Sequence, residues 1–267
     1  MSIFFPVEEQ AITSTMATEA GTIRIKTDAY KAIVRTDTME VLGVHSAKYK
    51  LVTNEEVFTK LDNALLSSGL DLTGRYDEDI LDFNGARTVR TVTLPEHKVK
   101  VAGDDISLQI RTTNSYDASL RFDMILGGIR WACTNGMVSG DLLSRSRHKH
   151  TQGLDVDAII ARLKMAAVSF HENQYTWQRW AQKPVSMEQL LTLAEGMTTS
   201  KTAHDHLVTL FYRYSQEMGY TAWAAYNAIT DWSTHTVGMK DTRQGTSLLE
   251  REAKVRSVLP KLDKIAA

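Results

Sequence analysis

The sequence predicts an α+β protein: a curved antiparallel sheet with one packed helix, followed by a helical C-terminal half. Three patterns predict it. Apolar and polar residues alternate with period two through 20–53 and again through 86–138, as strands with one wet face do. One amphipathic helical stretch separates those two regions. Beyond Gly153 the apolar spacing changes to the three-to-four-residue period of helices. Strands first and helices afterwards is not the alternating βαβ order of a nucleotide-binding sheet. On this reading the chain divides into a mainly β part, 1–153, a helical part, 154–241, and a charged C-terminal tail, 242–267.

The elements follow in order. "TIRIKTDAYKAIVRT" and "MEVLGVHSAKYKLVT" read as strands, with β-branched residues at every second or third place and Gly43 as punctuation. "TNEEVFTKLDNALLSSG" reads as the helix. Thr53 or Asn54 can cap it, Glu55 and Glu56 complement its N-terminal dipole, and Gly69 closes it. Val57, Leu61, Ala64 and Leu65 fall on one face. "ARTVRTVTLP", "HKVKVAG", "DISLQIRTTNSYDASLRFDMILGG" and "IRWACTNGMV" read as antiparallel strands, with Asn135–Gly136 as a turn. Four helical segments then run from Asp155 to Gly238, broken at Pro184 and Gly219. Their aromatics, Phe170, Trp177, Trp180, Phe211, Tyr214, Trp223, Tyr226 and Trp232, recur at core spacings, and Asn227 and Thr230 among them read as buried groups bonded to backbone.

Composition narrows the function. In 267 residues, 43% hydrophobic and 24% charged is the balance of a soluble protein able to bury a core. One cysteine allows no internal disulfide and no zinc site built on paired cysteines, and it suits a reducing, intracellular home. The N-terminus has too short an apolar run for a signal peptide, and no window approaches the roughly 20 apolar residues of a membrane helix. A net charge of −1 argues against a uniformly basic coat but leaves room for a local basic groove.

Enzyme readings find thin support. Cys133 shares a strand face with Trp131 and reads as a small buried hydrophobe rather than a nucleophile. His148 and His150 could ligate a metal, but Arg145, Arg147 and Lys149 around them would repel a divalent cation. His171, His204–Asp205 and Asp231 reproduce the ligand order of HD phosphohydrolases, although Asp205 can equally be an N-cap. There is no Walker-type glycine loop and no G-x-S-x-G elbow. The expectation is a protein that is not an enzyme and takes no cofactor or metal.

The cations point elsewhere. Arg87, Arg90, Lys98, Lys100, Arg111, Arg121 and Arg130 recur through the strands, and Arg145, Arg147, Lys149 and His150 follow as an anion-holding loop. A wet strand face studded with Lys and Arg can follow a phosphate backbone, although any solvated strand face looks similar. Tyr76, with Arg75 beside it, and Tyr116 sit among polar neighbours and can offer stacking platforms. Trp131 fits either stacking surface or core.

Several stretches together resemble a known family. They are "GGIRWACTNGM", "RSRHKHT", "TAWAAYNAITDWSTH", and "YKLVTNEEVFTKLDNAL" with "NSYDASLRF", spanning roughly residues 40–236. They resemble the phage/plasmid-like family of unknown function, and the chain is also similar to podovirus single-stranded DNA-binding and annealing proteins. The resemblance implies a mobile-element protein in the cytoplasm of a bacterial host. Its expected work is sequence-tolerant binding of single-stranded DNA in replication and recombination, with strand annealing, as a homo-oligomer. The rival readings are an HD-type phosphohydrolase and a non-enzymatic regulator that binds proteins. In the tail, Lys254, Arg256, Lys261 and Lys264 flank an apolar stripe that Pro260 interrupts. Such a segment can dock a replication or transcription protein, RNA polymerase included, or pack back on its own body.

Overall fold

The computed structural model describes residues 2–19, 21–130, 135–138, 145–148, 157, 163–235 and 244–267; at 126, 128–130, 135–138, 145–148, 163–167, 169 and 244–249 it describes the backbone alone. The α+β order holds, and the strands form two antiparallel sheets. Strands β1 (Val7–Thr18), β2 (Gly21–Arg35) and β3 (Glu40–Ser46) make the first, in that spatial order. The second has six: β4 (Tyr76–Asp82), β5 (Arg87–Val101), β6 (Asp104–Ser115), β7 (Phe122–Arg130), β8 (Asn135–Val138) and β9 (Arg145–His148). Both β8 and β9 pair with the same side strand, β7. Helix α1 (Asn54–Ser67) lies between the sheets in sequence. Helices α2 (Leu163–Gln182), α3 (Met187–Glu195), α4 (Lys201–Met218), α5 (Ala222–Thr234) and α6 (Gln244–Ile265) follow.

Helix α1 starts where expected. The Thr53 hydroxyl accepts from the Glu56 N–H, and Glu55 and Glu56 occupy the first turn. Asn54 is not the cap but a buried junction. Its N–H donates to the Tyr116 hydroxyl at 2.8 Å, and its amide donates to the Ile3 carbonyl and to Thr88. Its carbonyl oxygen accepts from Asn114. One side chain thereby ties the N-terminal segment, α1, β5 and β6 together. The apolar face, Val57, Phe58, Leu61 and Leu65, packs with Val92, Leu94, Leu108, Ile110, Phe122 and Met124 of the six-stranded sheet.

That cluster is continuous with the helices. Residues 222–233, nearly all of α5, are buried, as a helix surrounded by other elements must be. Trp177, Trp180 and Trp223 gather around Tyr226 with centroids 5.1–6.5 Å away. All eight helical aromatics named above are buried. The Asn227 amide donates to the Trp223 carbonyl and the Thr230 hydroxyl to the Tyr226 carbonyl, so both polar side chains are bonded inside their own helix.

Several expectations change. Residues 76–82, assigned to no element from the sequence, form the edge strand β4. Asn135–Gly136 is strand, pairing with Arg130 and Ile129, rather than a turn. Arg145–His148 is strand too, pairing with Phe122–Ile125. "RTVRTVTLP" and "HKVKV" are one strand, β5, whose register slips between Leu94 and Lys98. Pro95, with no N–H to donate, sits inside that irregularity. Asp205 caps nothing: Ser200 caps α4 by accepting from the Ala203 N–H. Finally, α6 runs straight through Pro260, and Val255, Val258, Leu259 and Leu262 join the main core. Pro260 is exposed, so the lost backbone hydrogen bond falls on the wet side of the helix.

Candidate nucleic-acid interface

Register assigns each strand cation to a face. Across the six-stranded sheet, Asp79, Arg90, Thr112 and Met124 form one cross-strand row. This row belongs to the face that meets α1, and Arg90 stacks over Phe58 with its guanidinium 4.8 Å from the ring centroid. On the opposite face, Glu78, Thr91, Arg111 and Ile125 form a row that continues to the backbone position of Arg145. The adjoining row, Ile80, Val89, Thr113 and Asp123, continues to Arg147. The expected site residues are therefore divided between the two faces.

Burial and pairing then remove several of them. Arg90 is 7% exposed and bonds Asp79 at 2.8 Å, so it braces the sheet and does not meet phosphate. Arg111, half-buried, pairs with the buried Glu252 of α6 and bonds Thr91 at 3.2 Å. Burial, with the nearby Arg256 charge second, pulls Arg111 down to about 10 despite that pair. Tyr116 is 1% exposed and accepts the Asn54 N–H, which rules out base stacking. Burial pushes its phenol well above the usual range. Arg75 is clamped by Asp77 and by Asp62 of α1, and those two bonds hold its guanidinium firmly charged. It fastens helix to strand. Arg87 pairs with Asp117 at 2.7 Å and stacks 4.0 Å over Phe83. Tyr76 is half-buried on the edge strand, beside Thr93.

The cations that stay open to solvent stand at the two ends of the sheet, with Arg121 just before β7 at one and two lysines at the other. Lys98 and Lys100 are exposed on β5. Lys98 lies 3.7 Å from Asp105, a surface contact of the kind worth about 0–1 kcal/mol. Their rows border the row in which Val99, Ile106 and the backbone positions of Arg130 and Asn135 align. Helix α2 crosses this end: Gln174 and Gln178 both donate to the Lys100 carbonyl, at 3.2 and 3.3 Å. Between them Tyr175 is 75% exposed, the most exposed aromatic among the described residues. The sequence reading passed over Tyr175, because an aromatic in a helix of aromatics looks like core. Its spacing does distinguish it: Trp177 and Trp180 share a helix face, and Tyr175 falls off that face. Lys149 and His150, with Trp131 and Cys133, lie outside the described residues.

The tail cations divide similarly. Lys254, Lys261 and Lys264 are exposed on α6, whereas the half-buried Arg256 sits 3.9 Å from Glu252. The residues of the HD-like order do not form a metal centre. Asp231 accepts from the Tyr214 hydroxyl at 2.7 Å, pairs with Arg213 and approaches His235, while the His204 ring bonds the Thr198 carbonyl. No three His, Cys, Asp or Glu side chains among the described residues gather as a metal site. No helix among them is long and apolar enough to cross a membrane.

Comparison with known proteins places this geometry in a family. No curated protein and no solved structure matches the chain. Residues 41–256, from β3 to the middle of α6, match the domain of unknown function DUF932. The chain belongs to the DUF932 family.

Proposed function

We propose that this protein binds single-stranded DNA without regard to sequence, in the replication and recombination of a phage or other mobile element within the bacterial host cytoplasm. One observation carries the reading: Lys98 and Lys100 are exposed, and the helix whose Gln174 and Gln178 bond the Lys100 carbonyl also bears Tyr175, the most exposed aromatic among the described residues. Lysines track phosphates, and an exposed ring offers a face to any base. Tyr76 offers a second stacking position at the sheet edge. Annealing of complementary strands fits a site that holds the backbone and leaves base edges unread. The exposed Lys254, Lys261 and Lys264 on α6 suit an acidic patch on a replication or transcription protein, RNA polymerase included.

The test is titration of a labelled 30-mer single strand and its duplex at two salt concentrations, with wild type, Tyr175→Ala and Lys100→Glu. Counterion release requires single-strand affinity to fall with salt. Loss of Tyr175 is expected to weaken binding by about 1–3 kcal/mol, roughly five- to 150-fold, without lowering the thermal midpoint. Equal weak binding to both forms, or variants that bind like wild type, would overturn the assignment.

A further inference from the structure

The first sheet carries a feature the domain does not use. Strand β3 reaches only as far as the pair Tyr30–Ser46, so beyond it β1 and β2 continue as a two-stranded ribbon, Ile12–Thr18 against Gly21–Thr27. The register gives this ribbon two different faces. Met16 pairs with Ile23, Ser14 with Ile25 and Ile12 with Thr27 on one; Thr15 pairs with Arg24 and Thr13 with Lys26 on the other. On the first face Met16, Ile23 and Ile25 are 50%, 48% and 53% exposed. An isolated two-stranded hairpin is at best marginally stable in water, and an apolar face left bare makes it less so.

We propose that the ribbon is a self-association arm whose occupant is the ribbon of a second copy of this chain. Two observations select that occupant. First, β1 is the outer strand of its sheet, and from Gln10 to Thr18 it contains no charge and no proline, the devices that normally protect an edge from pairing. An antiparallel edge matches its own copy about a two-fold axis without further sequence requirements. Second, the two ends of the β1–β2 pair as a whole, Val7–Thr18 against Gly21–Arg35, differ in charge. Arg24 stands near the tip, Glu8 and Glu9 stand at the root with Lys31 bonded to Glu9, and Lys26 and Asp28 between them pair with each other at 3.6 Å. A two-fold antiparallel arrangement sets tip against root, and so opposite signs together. The ribbon precedes residue 41 and so lies outside the DUF932 match. This inference does not rest on DNA binding.

Sedimentation velocity of the full chain at micromolar concentration tests it, alongside Ile23→Lys/Ile25→Lys and a shortened hairpin in which an Asn-Gly turn replaces residues 13–26. Wild type is expected to associate. Both variants are expected to run as monomers, with the association constant reduced about tenfold or more and the thermal midpoint of the body unchanged. Should the lysine variant misfold, the shortened hairpin decides, because it removes the apolar stripe. A monomeric wild type, or a shortened chain that associates as wild type does, overturns the proposal. A single-strand titration on the same samples reports the DNA reading separately.

Discussion

Removing the Glu252 carboxylate should strip this protein of a third or more of its stability, although the residue lies in a segment that reads as a tail. Glu252 is 1% exposed, and its partner Arg111, on the central strand β6, keeps 14% of its side-chain surface. Breaking such a buried pair from one side costs about 3–5 kcal/mol, because the remaining charge stays buried without compensation. Here the cost belongs at the upper end, since Arg256 stands 3.9 Å from the same carboxylate and two guanidinium groups would then face each other. Against a total stability of about 5–15 kcal/mol, Glu252→Ala should remove a third or more. Urea unfolding followed by circular dichroism measures this as a lowered midpoint at constant slope. Arg111→Met combined with Glu252→Leu should recover most of the loss, because apolar pairs often replace buried ion pairs at little cost. A loss below about 1 kcal/mol for Glu252→Ala would show the pair to be solvated, and would refute the seating of α6 over the sheet.

Further outcomes follow from other contacts. Tyr116→Phe leaves the buried Asn54 N–H without its acceptor and should cost about 1–3 kcal/mol in a thermal melt, with single-strand affinity unchanged. Asn227→Leu breaks the bond to the Trp223 carbonyl inside a wholly buried helix and should destabilise by a similar amount; a stable variant that loses only DNA binding would contradict this placement. Deleting residues 254–267 removes Val255, Val258, Leu259 and Leu262 from the core, at about 1.5–3 kcal/mol each, and should yield insoluble or unfolded protein rather than a folded body lacking one partner. Charge reversal at Lys254, Lys261 and Lys264 is therefore the cleaner probe of partner docking, read by pull-down with unchanged melting.

The parts of the fold legible in the sequence are those where local chemistry and packing agree. Thr53 caps α1, the face Val57–Leu61–Leu65 is buried, and the helical aromatics are core, because capping and 3.6-residue periodicity are local signals. Strand β4 was not legible: "YDEDILD" holds four carboxylates, and an edge strand needs apolar residues on one side only. Helix α6 was half legible. Its apolar stripe was visible, but Pro260 and the dense charge suggested a detached segment, and only the sheet shows what Glu252 is for.

The candidate site was harder to read, for a reason that lies in the charges themselves. A row of arginines on alternating strand positions looks the same whether it faces water or carboxylates elsewhere in the chain. Here Arg75, Arg87 and Arg90 each meet an aspartate, and Arg111 meets a glutamate more than a hundred positions away. A guanidinium fits a carboxylate through two parallel N–H donors, so arginines are the cations a fold can bury, whereas lysines stay hydrated at the surface. The division is the one observed on β5: Arg90 is buried, and Lys98 and Lys100, farther along the same strand, are exposed. On β5, residue type thus separates structural from available charge where periodicity does not. It directs the search for bound phosphates to the lysine-bearing end of the sheet, where the helix that carries Tyr175 bonds the Lys100 carbonyl through Gln174 and Gln178.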